Sequence, residues 1–379
     1  MHFSPLCSTD VRVLRRAAGE EALRGLLGGQ THRLLILVPH PLWAGLRLTP
    51  LFSALQKDGH TLSLITDIPS NPTVKHLASS LANLIGEGDK PTCILAIGGG
   101  SCIDLAKGIS ALWSPAKVEG SLEDSIRTAI HAKKYQDYPF IDIVAMPTTA
   151  GTGSEVTHWA TLWDTHEKLS VDCTACSPKA AILIPEWTVG MPPALTLSTG
   201  LDALCHAMEA FWAKATNPLS QTLALSAVER VRQVLPLTLS NPFDVDSRQE
   251  MCMASLLAGL AFSQTRTTAC HSLSYPLTLQ YGLPHGFAAA VTLPSVLRRN
   301  RTIVPEISRL EALFPLDGGF ETWLRQTCGG IQSLRLSAFG IREGGLLHIA
   351  EAAFTKGRMD NNPVLFSTEE CLRILRECL

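Results

Sequence analysis

The first half of the chain alternates short apolar runs with longer segments of helical periodicity. The apolar runs are rich in Leu, Ile and Val and end at Pro or Gly, which is typical of buried strands. Strands that alternate with helices form βαβ units, and these units build a parallel sheet. The predicted strands cover residues 34–38, 60–67, 93–97 and 141–146, and the predicted helices cover residues 48–58 and 73–85. We therefore expect an α/β N-terminal domain with a parallel sheet.

The pattern changes near Pro192 and Pro193, after which apolar residues recur only at helical spacing. The predicted helices of this half cover residues 201–211, 219–234, 248–263, 287–300 and 345–354. A chain of 379 residues also exceeds the size, about 250–300 residues, at which chains usually divide into domains. We predict two domains, an α/β domain over residues 1–191 and an all-helical domain over residues 192–379.

The chain carries little charge for its size. Its 32 basic and 34 acidic residues give a net charge of −2, and 17% of the residues are charged, against about 25% in a typical soluble domain. This balance provides no electrostatic footprint for nucleic acid or for an anionic membrane. It also indicates that another subunit covers part of the surface, so we expect a homodimer or a higher homo-oligomer.

Two further features predict a cytoplasmic protein. The opening MHFSPLCSTDVRVLRR lacks the apolar core of a signal peptide, and no run of about 18 apolar residues follows elsewhere. The 11 cysteines are odd in number and lie in apolar segments, so we interpret them as reduced thiols. Cys173 and Cys176 form a CxxC, but the second pair that a zinc ribbon requires is missing.

A glycine-rich loop, GGGSCIDLAKG, follows the third predicted strand and leads into a helix. Gly98, Gly99 and Gly100 let the backbone approach an anion closely, and the amide groups of the helix start supply donors. The alternative is a plain helix entry in which Ser101 is the N-cap. The loop is not the GxGxxG fingerprint of a Rossmann domain, which would follow the first strand.

A second loop, PTTAGTGSEV, follows the next predicted strand and is crowded with small hydroxyl side chains. Hydroxyl groups and backbone amides can hold ribose, diphosphate or nicotinamide, although turns favour Thr, Ser and Gly on their own account. Two such loops on neighbouring strands favour a dinucleotide over a coincidence of turns.

The helical half contains one carboxylate and three imidazoles in apolar segments. Asp202 and His206 lie four residues apart and so share a helix face. His271 lies in TACHSLSYP and His285 in GLPHG. Buried ionisable groups need a partner, and this ligand set suits Fe²⁺ or Zn²⁺ with a position left for a substrate oxygen. Each histidine taken alone would more often be structural.

Together these segments resemble the iron-containing (group III) alcohol dehydrogenases, a family related to dehydroquinate synthase and glycerol dehydrogenase. The matching motifs are GGGSxxDxAK at 98–107, PTTAGTGSE at 147–155, GxDAxxHAxEA at 200–210 and the later histidine pair ending in PHG. The resemblance covers nearly the whole chain. It implies a dehydroquinate synthase-like fold and hydride transfer between NAD(H) or NADP(H) and a small aldehyde or primary alcohol, with one divalent metal, Fe²⁺ or Zn²⁺.

The resemblance also implies roles for individual residues. It makes Asp202, His206, His271 and His285 the metal ligands. The implied cofactor-binding residues are Gly98, Gly99, Gly100, Ser101, Asp104, Thr148, Thr149, Thr152 and Lys168.

Two positions depart from the family pattern. Many members have HxxxH, whose second histidine is thought to relay the alcohol proton, whereas this chain has Tyr275 there. Nothing in the sequence lowers the tyrosine pKa from about 10, so we assign Tyr275 to the substrate pocket without general-acid catalysis. The first predicted strand is followed by Pro39 and His40 in place of the Asp that often holds the adenosine ribose of NAD, which leaves NADP open.

The segments WATLWD, FSQTRT, HSLSYP and GLPHG are similar to those of the subgroup that reduces phosphonoacetaldehyde to 2-hydroxyethylphosphonate. A phosphonate needs a cationic group to bind it. Arg266 is the first candidate and His158 the second. For Arg266, a structural salt bridge is an equally good alternative. The competing interpretations are a dehydroquinate synthase-like or glycerol dehydrogenase-like enzyme and a catalytically silent dinucleotide-binding protein.

A pair of substitutions separates coordination from proton relay. His271→Ala is expected to abolish both metal binding and turnover, whereas Tyr275→Phe keeps the metal and lowers turnover modestly. Metal analysis and kcat measurements check both variants. Full metal occupancy in His271→Ala would contradict the ligand set, and a loss of several orders of magnitude in Tyr275→Phe would establish the relay role.

Overall fold

The computed structural model describes residues 8–87, 90–113, 120–164, 167–315 and 318–379. The chain forms two compact units. One, the sheet unit, runs to Thr149 and resumes over Ser154–Trp187; the other, the helical unit, consists of Ala150–Gly153 and Thr188–Leu379. The sequence predicts two successive domains, residues 1–191 and 192–379. That domain boundary stays a prediction.

The sheet unit contains a six-stranded sheet in which every neighbouring pair is parallel, as the sequence predicted. The strand order is β1-β8-β5-β4-β2-β3, and β6 and β7 form a separate antiparallel pair. The strands are β1 (Asp10–Val13), β2 (Arg33–Leu37), β3 (Thr61–Ile65), β4 (Cys93–Gly98), β5 (Asp142–Pro147), β6 (Trp159–Trp163), β7 (Lys168–Asp172) and β8 (Ala180–Leu183).

Burial on both faces explains the unbroken apolar runs of the central strands. Leu35 and Leu37 of β2 belong to one core cluster, whereas Leu34 and Ile36 belong to another on the opposite face. Successive side chains of a strand point to opposite faces, so both faces must be covered by other elements. The helices of this unit are α1 (Arg16–Leu27), α2 (His40–Leu46), α3 (Pro50–Lys57), α4 (Val74–Glu87), α5 (Gly100–Leu112) and α6 (Leu122–His131).

The sequence missed several elements of this unit. β1 and β8 have only four residues each, too few to show a pattern. Helix α6 lies in a polar stretch, and the capping box formed by Ser121 and Asp124 identifies its start better than its apolar residues do.

The helical unit contains no strand among its described residues, which agrees with the predicted helical half. Its helices are α7 (Pro193–Trp212), α8 (Pro218–Ser240), α9 (Val245–Thr265), α10 (Ala269–Tyr281), α11 (His285–Ala290), α12 (Leu293–Asn300), α13 (Ile307–Glu311), α14 (Gly319–Cys328), α15 (Glu343–Ala352) and α16 (Thr368–Glu377). The single helix predicted over residues 287–300 is wrong, because a break at Val291 and Thr292 precedes Pro294 in the first turn of α12.

Helix α7 is the centre of this unit, because almost all of its length from Thr196 to Trp212 is buried. It packs against α8, α9 and α11. In the part of the chain that the structure describes, no helix is both long and apolar enough to span a membrane.

A charged cluster joins α12 to the last helix and generates a stability prediction. Glu377 accepts hydrogen bonds from Arg299 at 2.8 Å, Arg298 at 2.9 Å and Ser295 Oγ at 2.8 Å. The hydrogen bond from Arg299 is the main cause that lowers the pKa of Glu377 to about 2. Because the folded-state pKa is depressed, the stabilisation is complete above the unfolded pKa of about 4.3 and disappears as the pH falls towards 2.

Glu377→Gln is therefore expected to lower Tm at pH 7 by roughly 1–3 °C, since partly exposed ion pairs are weak. Thermal unfolding followed by circular dichroism at pH 7 and pH 3 measures the difference, which should shrink at the lower pH. Glu369→Gln on the same helix is the control, because its side chain is 75% exposed. A larger effect in the control, or a wild-type advantage that grows in acid, would contradict the prediction.

Candidate functional site

The glycine loop lies where β4 ends and α5 begins, with Gly100 as the first helical residue. A Cβ on Gly98 would lie 2.6 Å from Cβ of Cys102 and 3.2 Å from Cδ of Pro39, and a Cβ on Gly99 would lie 3.1 Å from Oγ1 of Thr149. A side chain therefore does not fit at Gly98, and one at Gly99 would require Thr149 to move. Since the N-cap is Gly99, no side-chain capping bond satisfies the first amide groups of α5, and free amides at a helix N-terminus can bind an anion.

The threonine loop lies beside the glycine loop at the same edge of the sheet. β4 and β5 are neighbours with Gly98 opposite Pro147, and the amide of Thr148 donates to the carbonyl of Gly98 at 3.1 Å. Open parallel sheets bind ligands at the carboxyl ends of their strands, where the strand order reverses. Here the order reverses between β2 and β4, so the glycine loop occupies that position.

Ser101 and Asp104, both predicted cofactor residues, also make contacts within the sheet unit. The Ser101 hydroxyl accepts a hydrogen bond from the amide of Asn71 at 3.1 Å. Asp104 accepts from Ser154 Oγ at 2.6 Å and from the amide of Thr161 at 2.9 Å. Burial raises the pKa of Asp104. These contacts make Asp104 a support for the segment that follows the threonine loop.

Sequence reasoning missed Lys107, which ends the GGGSxxDxAK motif. Its ammonium group is fully buried and donates to the carbonyl and hydroxyl of Ser154 at 2.7 and 3.0 Å. It also donates to Thr157 Oγ1 at 3.1 Å and to the carbonyl of Trp159 at 2.9 Å. Lys107 thereby holds the chain that leaves the threonine loop. Its place at the end of a quoted motif is the sequence signal that could have identified it.

The other predicted cofactor and substrate residues of this region lie in the threonine loop, directly before β6 and at the start of β7. Thr149 is partly buried beside Gly99, and Thr152 lies in the four-residue segment assigned to the helical unit. Lys168 begins β7. Its charge acts to lower the pKa of Asp104, but burial has the larger effect, so the pKa is raised overall. His158 Nε2 lies 3.4 Å from Asp172 Oδ1.

Three of the four predicted metal ligands come together in the helical unit. α7 positions Asp202, α10 positions His271 and α11 begins with His285. Their ligand atoms all lie within 4.8 Å of one another. Asp202 Oδ1 is 3.4 Å from His271 Nε2 and 3.9 Å from His285 Nε2. The His285 side chain keeps 29% of its exposure, so the cluster is accessible on one side.

His206 lies beside this cluster and is not part of the three-residue group. Its ring stacks on that of His271 with centroids 4.4 Å apart and on Phe262 at 4.1 Å. Its Nδ1 lies 3.3 Å from the carbonyl oxygen of Gly151 and 3.9 Å from Asp202 Oδ1. Because a carbonyl only accepts, the Gly151 contact puts the proton on Nδ1 and leaves Nε2 without one in the neutral ring.

The electrostatics of the cluster suit a cation. Asp202 Oδ1 and His271 Nε2 face each other, are buried and have no hydrogen-bond partner. Burial opposes ionisation of Asp202, but the facing histidines lower its pKa far below the usual range. Burial also lowers the pKa of His206 to about 4. Burial opposes protonation of His271 as well, but the charges and hydrogen bonds of Glu209 and Asp202 together raise its pKa to about 10. Oxygen and imidazole donors in this arrangement fit Fe²⁺ or Zn²⁺.

Two glycines that the sequence did not single out allow the approach of these elements. A Cβ on Gly286 would lie 1.8 Å from the carbonyl oxygen of Ser198, and one on Gly151 would lie 2.6 Å from that of Thr199. Real Cβ atoms do not approach backbone this closely. The glycine after His285 therefore lets α11 pack on α7, which explains the PHG motif.

Arg266 and Tyr275, the predicted substrate residues, lie on the segments around His271. Arg266 is the half-buried C-cap of α9 with φ 63° and ψ 178°. This conformation is essentially restricted to glycine and costs of order 1–3 kcal/mol for other residues. Tyr275 is buried, and its ring is parallel to that of His285, with centroids 6.2 Å apart.

Glu209 is the buried carboxylate that sequence reasoning overlooked, although it lies within the GxDAxxHAxEA motif. It is fully buried and contacts His271 Nδ1. Its spacing of seven residues from Asp202, on the same helix face, is the signal that could have identified it.

Two family models match this chain. The iron-containing alcohol dehydrogenase model matches residues 15–185, and the model of the C-terminal part of the Fe-containing alcohol dehydrogenase family matches residues 196–316.

Individual relatives agree with these matches. The chain is 31% identical to long-chain-alcohol dehydrogenase 1 of Geobacillus thermodenitrificans, over 87% of this chain and 85% of that protein. It is 37% identical to phosphonoacetaldehyde reductase of Streptomyces viridochromogenes, over 63% of this chain and 60% of the relative. The crystal structure of sulfoacetaldehyde reductase from Bifidobacterium kashiwanohense in complex with NAD⁺ superposes with a TM-score of 0.83 at 26% identity, covering 100% of this chain and 99% of that one.

Gly286→Ala is expected to weaken metal binding, because the added methyl group pushes α11 and His285 away from α7. Displacing a ligand should raise the metal dissociation constant at least about tenfold, as loss of a supporting contact does. Titration of the metal-stripped protein with Co²⁺ measures this constant. Gly344→Ala is the control, because its Cβ would meet nothing within 4 Å. Equal affinity in the two variants would contradict the packing argument.

Proposed function

The chain belongs to the iron-containing alcohol dehydrogenase family, and on that premise we propose that it is a metal-dependent, NAD(P)-linked alcohol dehydrogenase or aldehyde reductase. The family's members include alcohol dehydrogenases and reductases, which are oxidoreductases acting on CH–OH groups. The observation that carries the proposal is the buried pair Asp202 Oδ1 and His271 Nε2, which face each other without a hydrogen bond beside His285.

Two groups absent from the chain itself supply the chemistry. A divalent metal supplies Lewis acidity for the alcohol or carbonyl oxygen, and a nicotinamide supplies or takes the hydride. Asp202, His271 and His285 would hold the metal, with His206 as the fourth proposed ligand. Fe²⁺ is the first choice and Zn²⁺ the second.

The glycine loop, the threonine loop and Lys168 are the proposed cofactor-binding segments. The first amide groups of α5 and the backbone of Gly98, Gly99 and Gly100 suit a diphosphate. Thr148, Thr149 and Thr152 offer hydroxyl groups to the ribose and nicotinamide, and Lys168 is proposed to lie beside the cofactor. Because His40 and Pro39 replace the common aspartate after β2, the choice between NAD and NADP rests on this position.

Tyr275 contributes a buried, aromatic wall to the substrate pocket. Its ring is buried and is parallel to that of His285. We assign the alcohol proton to water or to a cofactor hydroxyl.

The proposed substrate is a short aldehyde that carries a tetrahedral anionic group, phosphonoacetaldehyde in particular. Two relatives are named for aldehydes with a phosphonate or a sulfonate group. Arg266 is the proposed anion-binding residue, and its glycine-like backbone angles support a functional role, because strained residues cluster at ligand sites. His158 is the weaker candidate, since its Nε2 lies 3.4 Å from Asp172.

The alternatives are less well supported. A dehydroquinate synthase-like enzyme needs several Lys and Arg residues around its substrate, and the motif segments of this chain contain few. A silent dinucleotide-binding protein would retain the buried Asp202 and its histidines without use, which is a liability for stability. A glycerol dehydrogenase-like enzyme would instead oxidise glycerol with NAD⁺, measured as a gain of absorbance at 340 nm.

We also propose a cytoplasmic homo-oligomer. No disulfide bond joins the cysteines within the described residues, which suits a reducing compartment. The low charge suits a surface covered by a second subunit, and light scattering of the eluted protein would give the subunit number.

A substrate panel tests the proposal directly. With iron-loaded protein and either NADH or NADPH, phosphonoacetaldehyde should be reduced, as loss of absorbance at 340 nm, with a higher kcat/KM than uncharged propanal. No reduction of any aldehyde with either cofactor would sink the proposed function.

Arg266→Gly then tests the specificity. It removes the guanidinium and relieves the backbone strain, so the variant should fold at least as stably as the wild type. We expect its kcat/KM for phosphonoacetaldehyde to fall about 100-fold, as for loss of a charged hydrogen bond, while the value for propanal changes little. Equal losses for both substrates would assign Arg266 a structural role.

A further inference from the structure

Glu209 is a fully buried carboxylate on the helix that carries two of the proposed ligands. It lies seven residues after Asp202 and three after His206, so all three project from one face of α7. A buried charge is tolerated only when it is paired and hydrogen-bonded. The partners of Glu209 therefore indicate what the charge is for.

The first carboxylate oxygen, Oε1, receives hydrogen bonds from the start of α10. The donors are the amide and hydroxyl of Thr268, at 3.1 and 2.7 Å, and the amides of Cys270 and His271, at 2.8 and 3.4 Å. The N-cap residue of α10 makes no side-chain capping bond of its own. Glu209 thus caps α10 from a neighbouring helix, where a negative charge is favourable.

The second oxygen, Oε2, contacts Nδ1 of His271. An ionised carboxylate only accepts hydrogen bonds, so the proton of this contact belongs to Nδ1. The other ring nitrogen, Nε2, is the atom that faces Asp202 Oδ1 at 3.4 Å. One carboxylate thereby sets both the position of the helix start and the orientation of the imidazole.

We infer that Glu209 is a positioning residue for the metal: it holds His271 with the proton on Nδ1, so that Nε2 is presented to the cation. This inference rests on the metal-ligand set of the proposed function. Carboxylates that orient ligating histidines in this way typically account for 10- to 100-fold in metal affinity.

Charge balance supports the same role. Asp202 and Glu209 place two negative charges in a buried region, and a divalent cation neutralises both. An amide at position 209 would remove one of those charges. If the oxygen of that amide keeps the cap of α10, the amide N–H group faces His271 Nδ1. Nδ1 must then accept this hydrogen bond, so the ring proton moves to Nε2. A protonated Nε2 cannot coordinate a metal.

Two isosteric variants separate metal positioning from helix capping. Glu209→Gln changes the contact with His271. Thr268→Val removes only the Thr268 hydroxyl, which donates a hydrogen bond to Glu209 Oε1 and accepts one from Trp212 Nε1. The full-length protein is stripped with a chelator and titrated with Co²⁺, whose visible spectrum reports coordination. The Tm of each metal-free variant is measured in parallel.

We expect Glu209→Gln to raise the Co²⁺ dissociation constant about 10- to 100-fold and to change the visible spectrum. Thr268→Val should lower the Tm of the metal-free protein while raising the dissociation constant less than about threefold. An unchanged constant in Glu209→Gln, or equal increases in the two variants, would show that Glu209 serves only as a cap and would overturn the inference.

A measurement on the wild type keeps the test decisive if Glu209→Gln does not fold. The measurement is an NMR spectrum of Zn²⁺-loaded protein with ¹⁵N-labelled histidine. The ring signal of His271 is assigned by its loss in His271→Gln. This signal should show a proton on Nδ1. A proton on Nε2 would overturn the inference. Protein that binds Co²⁺ but reduces no aldehyde would sink the proposed function and leave the role of Glu209 intact.

Discussion

The burial of Asp202 in helix α7 is the constraint on which the candidate site depends. A carboxylate inside an apolar helical unit is costly unless charge or hydrogen bonds compensate it, and the elements around α7 bring imidazole groups to it. α10 brings His271 and α11 brings His285 to within 4 Å of the same oxygen. Because Asp202 Oδ1 still lacks a hydrogen bond, a cation completes the arrangement better than the histidines do alone.

Close backbone approach makes this arrangement possible. Gly286 lets α11 pack against Ser198, in the turn of α7 that precedes Asp202. Gly151, in the threonine loop, packs in the same way against the backbone carbonyl of Thr199. The same loop presents the carbonyl of Gly151 to His206 Nδ1. Gly151, the neighbour of the proposed cofactor residue Thr152, thereby contacts a proposed metal ligand.

Particular residues show how far sequence reasoning reached. The parallel sheet followed from runs such as CILAI, because burial on both faces produces an unbroken apolar pattern. Asp202 and His206 were identifiable from their spacing on one helix. Lys107 and Glu209 were missed, although both lie inside the quoted motifs, because their partners are distant in sequence: Lys107 donates to residues about 50 positions away, and Glu209 contacts a residue about 60 positions away.

The sequence by itself determined the fold class, the glycine and threonine loops and the types of ligand available, because periodicity, turn chemistry and donor chemistry are local properties. Only the tertiary structure decided which atoms meet. It placed His271 Nε2 and His285 Nε2 around one oxygen of Asp202, set His206 beside that group, and showed Asp104 holding the chain after the threonine loop. These outcomes depend on the packing of helices remote in sequence, and that packing is set by steric fit and by the need to pair every buried charge.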